Sequence, residues 1–214
     1  MRGILLFYYI GGAGGKFIAN LLTYTGQVAF PNYTIALRND PEEYNNALLA
    51  TIPDKHNSRK WLELEHGCNQ LFGDAVGDIK QLGRVNNTKD LNDIALIKDK
   101  WLPIMAHYPN EVANVQNYFK NNDVRLIIVD SDREFIDRCI RLKWANPAHC
   151  LDLNVYEEFK QAANNLLPFY RINGWKPENR GSLMSVIDLA AALDLTIDFD
   201  AANAYIERYL AFHN

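Results

Sequence analysis

Arg2-Gly3-Ile4-Leu5-Leu6-Phe7-Tyr8-Tyr9-Ile10-Gly11-Gly12-Ala13-Gly14-Gly15-Lys16-Phe17-Ile18-Ala19-Asn20-Leu21-Leu22 opens the chain. An apolar run breaks into glycines and resumes with helical spacing, which reads as a strand, a tight loop and a helix. Glycines at 11, 12, 14 and 15, with Ala13 among them, let the backbone turn sharply and aim consecutive N–H groups into one concavity. A helix beginning near Gly15 or Lys16 presents its positive end to an anion there, and Lys16 adds a full charge. Gly11, Gly12, Ala13, Gly14, Gly15, Lys16 and Phe17 are therefore the expected anion-binding residues. The plainer reading is a glycine turn made only to let a helix pack on a strand.

Two positions depart from the common phosphate-binding loop, G-x-x-x-x-G-K-[ST]. Ile10 stands where its first glycine falls, and Phe17 where a Ser or Thr ligates Mg²⁺. A phenyl ring holds no metal, so a conventional Mg-dependent triphosphatase site is disfavoured.

The bulk of the chain narrows the classes further. Its 214 residues, 48% hydrophobic and 12% aromatic, supply one sizeable core. One α/β domain spanning 1–214 is expected, with a mainly helical insertion at about 38–100. A net charge of −4 and a pI near 5.7 give no general attraction to nucleic acid or to an anionic membrane. The apolar run from Ile4 to Ile10 is too short to span a bilayer, and glycines and a lysine follow it where a leader would carry a cleavage site. A cytoplasmic protein is expected. Cys68, Cys139 and Cys150 are odd in number and widely spaced, which suits buried reduced thiols and not structural zinc. His56, His66, His149 and His213 share no ligand spacing, and no metal is expected.

Strands and helices alternate along the chain. Helices are expected at about 39–51 and 58–72, with a polar, weakly patterned stretch over 73–99. A strand over Leu102–His107 is followed by a helix over Asn110–Lys120, a β-branched strand over Val124–Val129 and a helix over Asp132–Trp144. Val155–Leu167 reads as helix, Gly174-Trp175-Lys176 and Arg180-Gly181 as a turn-rich segment, Leu183–Ile187 as a last strand, and Phe199–Phe212 as a closing amphipathic helix. The alternation implies a three-layer α/β/α fold with a mostly parallel sheet, of the P-loop nucleotide-binding kind.

Three segments together resemble the sulfotransferase superfamily. Ile10-Gly11-Gly12-Ala13-Gly14-Gly15-Lys16-Phe17 is similar to that family's 5′-phosphosulfate loop, with Ala13 at its basic position and Lys16 and Phe17 at its two Thr positions. Pro103-Ile104-Met105-Ala106-His107-Tyr108-Pro109 is similar to its strand ending in Lys-Thr-His-Leu-Pro, matching at His107 and Pro109. Leu126-Ile127-Ile128-Val129-Asp130-Ser131-Asp132-Arg133-Glu134 is similar to its strand followed by Arg-Asn-Pro-x-Asp, with Glu134 at the acidic position. The family's 3′-phosphate residues fall on Asp130 and Arg138, so Arg138 or Arg141 would have to supply that contact.

The resemblance implies transfer of a sulfuryl group from 3′-phosphoadenosine 5′-phosphosulfate to a hydroxyl or amine of a small-molecule or glycan acceptor, without metal. Such chemistry needs donors around the leaving phosphate and a base near the acceptor. Lys16 and the loop amides suit the first task, and His107, at the end of a strand, suits the second. Trp175 is expected to stack on adenine, with Lys176 or Arg180 reaching a phosphate; each also has an ordinary reading, as core anchor or surface charge. Asp130, at a strand end, also resembles the metal-holding aspartate of P-loop enzymes. A nucleotide-dependent kinase is therefore the alternative, and a non-catalytic nucleotide-binding protein of the same fold is another.

Overall fold

A computed structural model describes residues 2–28, 99–144, 152–176 and 180–213. The helices expected at 39–51 and 58–72, and nearly all of the 38–100 insertion, lie outside the described residues.

Strands β1 (Gly3–Tyr9), β2 (Trp101–Ala106), β3 (Val124–Ser131) and β4 (Tyr170–Trp175) form one sheet in the order β2-β1-β3-β4. Every pairing is parallel. All seven residues of β1 and all six of β2 are buried, which requires cover on both faces and explains why their sequences are unbroken apolar runs without alternation. Neighbouring side chains of a strand point to opposite faces. Accordingly Tyr8 packs on Phe159 of α4 (Leu153–Asn165), while the Tyr9 ring lies on Gly15 of α1 (Gly15–Leu22). The remaining helices are α2 (Pro109–Tyr118), α3 (Arg133–Trp144), α5 (Arg180–Ala192) and α6 (Phe199–His213). Helix α1 packs against α5 and α6, and α2 against β1 and β2. The molecule is thus α/β, with an all-parallel four-stranded sheet and six α-helices among the described residues, consistent with a three-layer α/β/α arrangement.

Two expected elements change type. Leu183–Ile187 is not a strand; it lies inside α5, which continues through Ala190-Ala191-Ala192. The β-branched pair Val186-Ile187 reads as strand locally, but the alanines that follow extend the helix. The last strand is instead β4, and Trp175, expected in a turn, is its final residue. Gly174, the first residue of the expected Gly174-Trp175-Lys176 turn segment, has a left-handed φ of 61°. The register explains that glycine: Asp130 pairs with Asn173 and Ser131 with Trp175, so Gly174 is the extra residue of a bulge.

The lower pole of the sheet, at the strand N-termini, is closed by stacked cations and rings. The Arg125 guanidinium lies 4.7 Å from the Trp101 ring and 4.6 Å from the Phe169 ring, and Arg2 lies 5.4 Å from Trp101. The upper pole, at the strand C-termini, carries the glycine loop.

Candidate functional site

Three carbonyls of the loop are engaged within the protein. Ile10 C=O accepts from Ala13 N–H at 3.0 Å, Gly14 C=O accepts the first helical bond from Ile18 N–H at 3.1 Å, and Ala13 C=O accepts from Ser131 Oγ at 2.8 Å. With those carbonyls turned to the protein, the amides at the start of α1 face outward from the helix end, where no intrahelical acceptor exists for Gly15, Lys16 and Phe17. Gly12 and Gly14 hold left-handed φ values of 91° and 77°, which only glycine adopts without strain.

Packing fixes the loop from three sides. Gly12 rests on Ile136 and Cys139 of α3, Gly14 on Trp175 and Tyr209, and Gly15 on the Tyr9 ring, each too closely for comfortable insertion of a side chain. Lys16, partly exposed, is the second residue of α1. Phe17 goes the other way. It is 5% exposed, stacked on Tyr209 at 3.6 Å and on Tyr205 at 5.1 Å, with Trp175 at 5.9 Å. The Phe17 side chain therefore shapes the loop from beneath as a core residue, and what it can offer a ligand at the loop is its backbone amide.

His107 lies one residue beyond β2, in register with the end of β1. Its Nδ1 is 3.0 Å from Tyr9 C=O, and the two rings meet edge to face with centroids 4.7 Å apart. A carbonyl only accepts, so Nδ1 carries a proton, and in the neutral ring the lone pair is then on Nε2. Glu111 anchors the same segment: its Oε2 accepts from His107 N–H at 2.6 Å and from Tyr108 N–H at 3.1 Å. A glutamate at the third helical position reaching back over the helix start is a capping arrangement, and Glu111, two residues after Pro109, carried that signal. Tyr9 ties the parts together, its carbonyl on His107 and its ring on Gly15.

The end of β3 presents alternating carboxylates. Asp130 Oδ2 accepts from Lys160 Nζ of α4 at 2.5 Å. Asp132 caps α3 by accepting from Glu134 N–H at 3.0 Å and Phe135 N–H at 3.3 Å, and pairs with Lys176 Nζ at 3.2 Å. Burial works to raise the Asp132 pKa, but the Lys176 ammonium and the two amides outweigh it and hold the carboxyl below its ordinary value. Between them Ser131, 2% exposed, donates to the loop. Neither Ser131 nor Lys160 follows from any motif; both are positioned by pairing of distant segments.

The other expected ligand residues divide. Trp175 has no exposure, the burial of a core anchor, which is the ordinary reading of this residue. Lys176 follows it, partly exposed, and its own N–H donates to Ser182 Oγ at 3.0 Å. Arg138 and Arg141 are exposed on the side of α3 turned away from Gly12; Arg141 Nε pairs with Asp137 Oδ2 at 2.9 Å and Arg138 lies 5.6 Å over the Phe135 ring. Residues one turn apart on a helix share a face while offsets of one or two residues turn away from it, so the face that meets the loop is Ile136 and Cys139, and the two arginines are not brought onto it. No helix among the described residues is long and apolar enough to cross a membrane. No family model, curated protein or solved structure matches the chain.

Proposed function

We propose that this chain is a sulfotransferase-type enzyme of the P-loop-like α/β kind, moving a sulfuryl group from 3′-phosphoadenosine 5′-phosphosulfate to a hydroxyl or amine acceptor. The observation that carries the reading is the joining of the glycine loop to His107 through Tyr9: an anion cradle and a base meet at the C-terminal end of adjacent parallel strands, where open α/β sheets bind ligands. The residues present suit the 5′-phosphosulfate end of the donor, with the amides opening α1 and the Lys16 ammonium around its oxygens. Lys176 is the side chain proposed for the 3′-phosphate.

In the proposed step, an acceptor oxygen or nitrogen forms a bond to sulfur while the sulfur–oxygen bond to the 5′-phosphate breaks. His107 Nε2 takes the acceptor's proton, and adenosine 3′,5′-bisphosphate leaves with the electron pair. Negative charge grows on the leaving phosphate, so Lys16 acts where charge develops. Tyr9 C=O and the Glu111 carboxylate hold the imidazole and its backbone in place.

The kinase alternative is less well supported. Phe17, at the position of a metal-ligating hydroxyl, is packed among aromatic rings, and Asp130 is engaged by Lys160. Lys16→Ala and His107→Ala should each lower sulfuryl transfer, followed with labelled donor across an acceptor panel, by at least about 100-fold, the usual scale for a positioned proton acceptor or charge donor. Undiminished transfer in both variants would remove the assigned roles, and transfer of phosphate from Mg-ATP would favour the kinase.

A further inference from the structure

Ser131 belongs to β3, yet its hydroxyl serves the glycine loop. The side chain is 2% exposed, and Oγ donates to Ala13 C=O at 2.8 Å. Val129 pairs with Tyr9, so Ser131 stands two residues beyond the last pair of β1 and β3, level with the loop. Its neighbours Asp130 and Asp132 send their carboxylates to Lys160 and Lys176. Alternation along the strand turns Ser131 to the opposite side, and there its hydroxyl meets the loop.

What the bond fixes follows from the peptide unit that joins Ala13 to Gly14. The peptide bonds of the described residues are trans, and in a planar trans unit C=O and N–H point in opposite directions. Holding the Ala13 carbonyl on Ser131 therefore turns the Gly14 N–H away from β3. No acceptor among the described residues receives that N–H. Gly14 is left-handed, at φ 77° and ψ 4°, and helical Gly15 follows it. That alternation gathers successive N–H groups into one concavity that suits an anion. Glycine tolerates either sign of φ, so residue 14 does not by itself keep the peptide from turning over. A reversed peptide would present its carbonyl to the anion in place of its N–H. The Ser131 hydroxyl supplies the restraint.

We propose that Ser131 is a positioning residue for a tetrahedral oxyanion, phosphate or the phosphosulfate end of the proposed donor, bound at the glycine loop. It does not touch the anion; it holds the Ala13–Gly14 peptide so that the Gly14 N–H donates to it. The inference rests on the reading of the loop as an oxyanion site and names the residue, from another strand, on which the aim of its amides depends.

The test follows the backbone amide resonances of the full chain while inorganic phosphate and, separately, adenosine 3′,5′-bisphosphate are titrated, with affinities from calorimetry. In the unaltered protein the Gly14 amide proton should move downfield as either anion binds. Ser131→Ala should weaken binding about tenfold, the scale of one hydrogen bond to a charged group. Ser131→Thr, which keeps the hydroxyl, should bind like the unaltered protein. Melting temperatures of the variants separate a loss of affinity from a loss of fold. Binding of either anion with the Gly14 signal unmoved would overturn the inference, whether or not the variants fold, and would leave the loop as an anion site. So would Ser131→Ala binding as tightly as the unaltered protein, or a folded Ser131→Thr binding as weakly as Ser131→Ala. A Gly14 shift and a Ser131→Ala loss with phosphate, without binding of the bisphosphate, would support the inference and count against the sulfotransferase reading. No binding of either anion would overturn both.

Discussion

Tyr8 and Tyr9 stand side by side in β1, and a difference of one residue decides what each does. Tyr9 turns to the α1 face, where its carbonyl and ring join His107 to Gly15. Tyr8 turns to the α4 face, has no exposure, and its hydroxyl has no partner among the described residues. Burial first, and the Glu111 carboxylate second, push its pKa from 10.0 up to about 12. The unfolded chain therefore releases this proton near pH 10 while the folded one keeps it to about pH 12, so the folded state binds more protons in that window and stability falls as pH rises through it. Tyr8→Phe removes the unpaired hydroxyl with little change of shape. It should raise the neutral-pH melting temperature by about 2–4 °C, corresponding to about 1 kcal/mol for a chain of this size, and should flatten the decline above pH 10. A lower melting temperature in the variant would mean that the hydroxyl is bonded in solution.

At the scale of elements, the glycine loop is a junction of five pieces of structure. Ser131 of β3 holds its Ala13 carbonyl, α3 meets Gly12, β4 and α6 meet Gly14, and α1 continues it. Phe17 is the hinge between loop and core, since its ring is stacked on two tyrosines one helical turn apart in α6. Phe17→Ser, which restores a hydroxyl at the position where P-loop enzymes carry one, should destabilise the fold by about 3–5 kcal/mol and should not confer Mg-ATP binding; urea unfolding and calorimetry read the two effects. A stable variant that binds Mg-ATP would show that position 17 faces the ligand.

The same junction shows what the sequence could carry. The strand, loop and helix at residues 3–22 were legible because an apolar run, glycines and a helical period lie within one local stretch. His107 was legible at the end of a short apolar strand, whereas Glu111 was not read, although its place two residues after Pro109 is a local capping signal. Strand β4 was not legible, because Gly174 serves a bulge defined only by pairing with β3, and α5 was misread from Val186-Ile187 alone. Phe17 and Arg138 were placed in the site by alignment of short motifs, Arg141 by its place on the same helix, and Trp175 by its turn-rich surroundings. Which way the Phe17 and Trp175 side chains point depends instead on packing partners far away in the chain, such as Tyr209 against Phe17.

Along the strand axis, the whole molecule has one pole closed by stacked cations and rings and another that carries the glycine loop. The lower pole is sealed by Arg2, Trp101, Arg125 and Phe169, and the strands between are buried throughout β1 and β2. The upper pole gathers the glycine loop, His107, and the carboxylates of Asp130 and Asp132 with their lysines. A net charge of −4 gives the chain no general attraction to anions, so the proposed nucleotide would have to be held by local geometry. The central claim is that this pole binds a bisphosphorylated nucleotide through loop amides and Lys16 without a metal. Calorimetric titration of adenosine 3′,5′-bisphosphate and of ATP, each with Mg²⁺ and with a chelator, tests it most directly. The account predicts binding of the bisphosphate that is indifferent to the metal and weakened at least about tenfold by Lys16→Ala, on the scale of a charged hydrogen bond. Binding of ATP alone, and only with Mg²⁺, would contradict it.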